Sequence, residues 1–398
     1  MQHKHLDVPI FHDDPEPIKF WNRPVVLFIL VFCIALAIRS AQFFFLRAND
    51  PSFDNILSGV DTKYYEDLSQ TILGGDWLLR SVPVHFMGPL YGYFLAATYS
   101  IFGHNYLAVH ALQYFLGAAS ASIIYLAARQ WFSNRVAFVA GLFPALSATL
   151  IVYEGYLLPE SLIFFLGSFF ILVMGLVRRH PNRWWLWLLL GITLGLPSIQ
   201  RANFLLCAFG IALWIIFGFT ENNLRRCAIR LAIFIFGIAI AIAPITLHNR
   251  IIGGQWTLVT SNGGVNLYIG NGIEANGEFG AGCGAICAQH TNEVSAGTTT
   301  WAGVLINEIQ SNPTRWLTLM LKKTYLYWAA YDPPDNFNYL LFKRFSPLTQ
   351  VGQFPYYIVA TLGFIGMAVA WTRRRVLMEL YLLIFICMIS VALPAAAR

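Results

Sequence analysis

Few side chains in this chain are placed to do acid–base chemistry. From Trp77 to Thr220 the only carboxylates are Glu154 and Glu160, both in Tyr153-Glu154-Gly155-Tyr156-Leu157-Leu158-Pro159-Glu160. A third candidate, Asp61, opens the stretch Asp61-Thr62-Lys63-Tyr64-Tyr65-Glu66-Asp67-Leu68. A carboxylate held within hydrogen-bond reach of a hydroxyl can take its proton as a general base. Each acid also has a plainer role: Asp61 sits where a helix N-cap belongs, and Glu160 follows Pro159 at the positive end of the next helix. The cations that accompany them are few, namely Lys63, Arg80, His85, Arg201, His248 and Arg250. Singly, such residues anchor helix ends at headgroup level; together they would hold a phosphate.

The elements that must position these groups are apolar helices. Of 398 residues 57% are hydrophobic and 12% charged, against about 25% charged in soluble domains. Runs of ~20 apolar residues, the length needed to span a ~30 Å hydrocarbon layer, recur from end to end. The fold expected is therefore all-α and polytopic. The first run, Pro24 to Leu46, is too long for a signal-peptide core and lacks a basic leader, so it reads as a retained helix. The net charge of +6 does not point to nucleic acid, because no block of five Lys/Arg occurs and the basic residues sit in short turns, where they set orientation.

Those turns predict a path. With Arg23 and the N-terminus inside, residues 24–46 cross outward and 47–105 form the first outer loop; crossings follow at 106–128, 136–151, 160–177, 184–200, 203–219 and 228–247. A long outer loop, 249–353, precedes a last pair, 354–371 and 377–393, for nine crossings in all. The units are then a cytoplasmic tail 1–23, a transmembrane catalytic module 24–248, the outer loop 249–353 and a C-terminal hairpin 354–398. Residues 88–103 and 314–331 are expected as re-entrant or interfacial helices, the first because a full crossing there would turn Arg129 and Arg135 outward. Asp61 to Leu73 reads as a short amphipathic helix stopped by Gly74-Gly75. Cys283 and Cys287 would form a local disulfide if their loop faces an oxidising compartment; Cys33, Cys207, Cys227 and Cys387 read as small buried residues.

No phosphate-binding glycine loop, zinc-protease motif or nucleophile elbow occurs, so soluble nucleotide-driven chemistry is not indicated and an amphiphilic substrate within the membrane is. The run Asp61-x-x-Tyr64-Tyr65-x-x-Leu68, then Gly75-Asp76, then Gly88-Pro89-Leu90-Tyr91 leading to Phe102-Gly103, resembles the first outer loop of GT-C membrane glycosyltransferases. The relatives it resembles are bacterial ones of the dolichyl-phosphate-mannose protein mannosyltransferases (glycosyltransferase family 39) and of the lipid A aminoarabinose transferases. Leu158-Pro159-Glu160, Arg201-Ala202-Asn203, Asn249-Arg250-x-x-Gly253-Gly254, Asn262-Gly263-Gly264 and Gly270-Asn271 extend the resemblance over roughly 20–345.

The resemblance implies a polyprenyl-phosphate sugar donor, a protein, glycan or lipid acceptor, and transfer with inversion on the outer face of a bacterial-type inner membrane. It makes Asp61 the general base and Glu160, or alternatively Glu154, the second acid. Arg201, Arg250, Arg80, His85 and Lys63 would neutralise the donor phosphate, while Tyr64, Tyr65, Tyr268 and Asn271 would line the pocket. Asp61 is followed by Thr62 where some members carry a second acid, which leaves a divalent metal open. The sequence ends at Arg398, so no outer C-terminal domain is expected to choose the acceptor. The competing reading is a polyprenyl-linked sugar transporter or a non-catalytic paralogue; no pair of related halves of the kind transporters show is evident.

Overall fold

The computed structural model describes residues 23–55, 61–219, 223–277, 283–328, 343–349 and 356–371. Among these there are helices and no strands. The helices are α1 Pro24–Asn49, α2 Asp61–Leu73, α3 Leu90–Phe102, α4 Tyr106–Ala128, α5 Asn134–Leu146, α6 Ala148–Glu154, α7 Glu160–Arg179 and α8 Trp184–Gln200. A 3₁₀ turn, Ala202–Leu206, leads into α9 Cys207–Phe217, followed by α10 Leu224–Ile251, α11 Gly263–Asn271, α12 Ala285–Ser295, α13 Trp301–Ser311, α14 Pro313–Trp328 and α15 Tyr356–Trp371.

α1, α4, α7 and α10 are long and apolar enough to cross a membrane, and α5 with α6 passes the same test as one span bent by 50°. The apolar runs at 184–200 and 203–219 appear as α8 and as the 3₁₀ turn plus α9, both shorter. Residues 88–103 yield α3, whose 13 residues extend only about 20 Å, too short for a ~30 Å layer. All of the expected tail 1–23 but Arg23, and the expected crossing 377–393, lie outside the described residues.

α4 sits at the centre, packed by α1, α5 and α7, while α7 leads on to α8 and α8 lies along α10. The α8–α10 contact is a close backbone approach. A Cβ at Gly191 would stand 2.1 Å from Phe234 O, and one at Gly237 would stand 2.3 Å from Leu188 O. Small residues that let helices touch are the usual packing device where lipid offers no hydrophobic drive. α2 lies against α3, with Tyr65, Tyr91, Leu95 and Tyr99 buried between them.

The break between α5 and α6 is explained by a residue that the hydropathy reading passed over. Where a helix stops inside a bundle its last carbonyls lose their amide partners, and without water they need others. Arg39, in the middle of α1 and fully buried, supplies them: Nη2 donates to Pro144 O at 3.2 Å and Nη1 to Ala145 O at 3.3 Å. The same guanidinium holds the Glu154 carboxylate in a fork, Nε to Oε2 at 2.6 Å and Nη2 to Oε1 at 2.8 Å. α4 makes room with Gly117, where a Cβ would lie 2.3 Å from either carboxylate oxygen.

Removing one partner of a buried pair strands the other charge, at about 3–5 kcal/mol. Arg39→Met and Glu154→Leu are each expected to lower the melting temperature of the detergent-purified protein sharply. The double variant Arg39→Met/Glu154→Leu is expected to lose less than the sum, and a double variant that loses the full sum would show that the two residues do not act as a pair.

Candidate active site

Asp61 begins α2, Glu160 begins α7 and Arg201 follows α8 directly, and the fold gathers these three positions at one end of the bundle. Arg201 Nη2 donates to Glu160 Oε1 at 2.8 Å. Burial alone would lower the Arg201 pKa, but the Glu160 carboxylate, Tyr65 and Asp61 together hold it above the ordinary guanidinium value. The second carboxylate oxygen of Glu160, Oε2, is buried and accepts no hydrogen bond, so the acid keeps an open acceptor beside a bound cation.

Glutamines fix the floor of this site. Gln200, the last residue of α8, is buried; its Nε2 donates to the Tyr65 hydroxyl at 2.7 Å and its Oε1 accepts from Tyr91 N at 3.0 Å. Gln113 on α4 accepts a hydrogen bond from the Tyr91 hydroxyl on Oε1 and donates from Nε2 to Glu154 O at 2.8 Å and Tyr156 O at 2.7 Å. A continuous run of hydrogen bonds thus joins the Arg39–Glu154 pair to Tyr65, one helical turn along α2 from Asp61. Gly88 permits the approach of α3 to α8, since a Cβ there would stand 2.3 Å from Ile199 O. The sequence reading missed Gln113 and Gln200, although amides inside apolar runs were a signal in plain sight.

The other named residues are placed elsewhere. Glu154 is committed to Arg39. Lys63 is exposed and pairs with Asp67 on its own helix. Arg80 is exposed in the turn after α2, whose backbone is capped by Asp76 accepting from Arg80 N and Ser81 N, both at 2.8 Å. Arg250 caps Gly254 O at 2.8 Å and lies 5.3 Å from the Trp256 ring centre. Tyr64 is half-buried against Met87. Tyr268 and Asn271 are buried in the unit formed by α11–α14, where the Tyr268 hydroxyl donates to Glu308 at 2.6 Å and Asn271 accepts from Lys323 Nζ at 2.9 Å. Cys283 and Cys287 are joined by a disulfide at the start of α12. Among the described residues no three His, Cys, Asp or Glu side chains are grouped to hold a metal ion.

His85 is buried and stacked on His248 with ring centres 4.4 Å apart; its amide donates to Asn249 Oδ1 at 3.1 Å and its carbonyl accepts from Ser261 N at 2.9 Å. Burial, and then His248 beside it, push its pKa from 6.5 down to about 4. The folded chain therefore prefers the neutral ring, and its stability is complete above pH 6.5 and lost as pH falls toward 4, by up to about 3 kcal/mol. Melting temperatures between pH 7.5 and 4.5 are expected to decline with a slope that His85→Gln reduces; equal slopes would count against the buried neutral ring.

Residues 83–248, 166 of the 398, match the model of the dolichyl-phosphate-mannose-protein mannosyltransferase family. The matched segment contains His85, Gln113, Glu154, Glu160, Gln200 and Arg201, and leaves out Asp61, Arg250, Tyr268 and Asn271. No curated protein matches the chain. An all-α membrane architecture and this match together support the resemblance to GT-C membrane glycosyltransferases of the protein-mannosyltransferase type, and with it the general activity class of a membrane glycosyltransferase.

Proposed function

We propose that the protein transfers a glycosyl group from a polyprenyl-phosphate donor to an acceptor hydroxyl, with Asp61 as general base. The observation that carries this reading is the Arg201–Glu160 pair at 2.8 Å with the Asp61 charge acting on the same guanidinium. Two acids and a cation from three separate elements meet where one base, one orienting group and one phosphate ligand are required.

In the step proposed, Asp61 takes the acceptor's hydroxyl proton while the acceptor oxygen forms a bond to the anomeric carbon. The bond from that carbon to the phosphate oxygen breaks with its electron pair, and the phosphate departs as an anion. A single displacement inverts the anomeric configuration. Arg201, a permanent cation, offers its remaining guanidinium donors to the departing phosphate. Glu160, whose side chain is 32% exposed, accepts a hydroxyl of the sugar or acceptor. No step is assigned to a metal. Glu154, bound to Arg39, acts on the framework of the site rather than on the substrate.

The basic turns support a site on the outer face of a bacterial-type inner membrane, with the N-terminus cytoplasmic. In that orientation the acceptor is a protein, glycan or lipid reaching the membrane from outside.

The test is transfer from radiolabelled polyprenyl-phosphate sugars in membranes that carry the wild type or Asp61→Asn at equal protein levels. Removing a general base is worth about 100-fold to 10,000-fold, so Asp61→Asn is expected to fall at least about 100-fold. Undiminished transfer by Asp61→Asn would take Asp61 out of the chemistry, and absence of transfer by the wild type from every donor offered would overturn the reading.

A further inference from the structure

A small space adjoins the first turn of α2, lined by Ser52, Phe53, Asn55, Thr62, His110 and Tyr156 among others, with room for about one water-sized group. Asn55 at its rim is exposed. Most of the polar groups around it are already engaged. Ser52 Oγ donates to Asp50 Oδ1 at 2.6 Å, the Tyr156 hydroxyl to Asp50 Oδ2 at 3.2 Å, and Asn55 Nδ2 to Pro51 O at 3.0 Å. Two are not: Thr62 Oγ1 and His110 Nδ1 have no hydrogen-bond partner, although Thr62 is 3% exposed and His110 1%. A buried polar group without a partner is unfavourable by about 1–3 kcal/mol, and because Thr62 and His110 both line this space, one small ligand held there would serve both.

The chemistry of that ligand can be read from the two atoms. His110 Nε2 lies 2.9 Å from Phe53 O. A carbonyl only accepts, so in the neutral ring Nε2 carries the proton and Nδ1 presents a lone pair. The Phe53 ring, stacked on the imidazole at 4.2 Å between centres and 14° between planes, keeps it from turning. Thr62 offers a hydroxyl that donates. A group with one proton for His110 Nδ1 and one lone pair for Thr62 Oγ1 satisfies both at once, as an alcohol or a water molecule does. A carboxylate or phosphate oxygen would meet the His110 lone pair with its own. Thr62 is also the residue after Asp61.

We propose that this space is a subsite for one ring hydroxyl of the transferred sugar, gripped by Thr62 and His110 beside the general base. The inference rests on the glycosyltransferase reading above and adds a specificity determinant to it. Thr62 Oγ1 donates to the sugar oxygen, the sugar proton goes to His110 Nδ1, and sugars lacking that hydroxyl leave both protein groups unpaired.

The experiment starts from a panel of polyprenyl-phosphate mannose, glucose, galactose and arabinose, followed by the monodeoxy forms of whichever donor the wild type accepts. One monodeoxy donor is expected to lose at least about tenfold in kcat/KM with the wild type. Thr62→Val should lose a similar factor with the parent sugar and nothing more with that deoxy donor, while Thr62→Ser should keep the wild-type pattern. The inference is overturned if no monodeoxy donor loses more than twofold with the wild type, a result that does not depend on any variant folding. It is also overturned if Thr62→Val melts with the wild type and penalises the parent and every deoxy donor alike, the mark of a water-filled space. Wild type that accepts none of the panel would defeat the functional reading first, and this one with it.

Discussion

Everything near the candidate site leans on one charged pair held out of water. Arg39 and Glu154 meet in a fork inside the bundle, and the guanidinium also satisfies the carbonyls that the break after α5 leaves open. Apolar contact alone would not fix that break, because carbonyls without partners in a dry interior are costly enough to drive the chain back into a straight helix. The pair allows α6 to turn by 50°, and the turn delivers Tyr156 and Glu160 to the end of the bundle where Asp61 and Arg201 stand. Gly117 on α4 is the other half of the arrangement, a notch without which the carboxylate would have no place.

From that pair the constraint runs outward through amides. Gln113 reads the backbone on both sides of Gly155, at the end of α6, and passes the restraint to Tyr91, and Gln200 passes it on to Tyr65. A buried primary amide has two donors and an acceptor with fixed geometry, so each residue in the run orients the next. Acids that must work within hydrogen-bond reach of a substrate need such support, because a misplacement of about 1 Å is enough to spoil a catalytic geometry.

Much of this was legible in the sequence, and the reasons for what was not are physical. Hydropathy located the helices, since segment length against bilayer thickness is a one-dimensional property; 106–128 and 184–200 agree with α4 and α8 to the residue. The 136–151 run was read as one helix, although Pro144 sits within it, because periodicity does not register a bend. Asp61, Glu160 and Arg201 were named as candidates, but their meeting is a tertiary fact: Arg201 and Glu160 are 41 positions apart, with nothing in the spacing to join them. Arg39 was hidden by its setting. One charge among two dozen apolar residues barely alters a hydropathy average, whereas a charge at membrane depth is itself a sign that a partner exists. The stacking of His85 on His248, 163 positions apart in sequence, is another tertiary fact that residue type and spacing do not announce.

The order in which the chain is made gives the Arg39–Glu154 pair a further meaning. Arg39 leaves the ribosome 115 residues ahead of Glu154, so α1 must first enter the lipid carrying an uncompensated cation, a penalty of a few kcal/mol that its long apolar flanks can bear. Only when α4, α5 and α6 have followed can the cation be capped. Lateral assembly of the early helices is therefore rewarded late and all at once, and a chain in which α6 fails to arrive keeps an exposed charge in the membrane, the kind of lesion by which quality control can tell an unfinished bundle from a finished one.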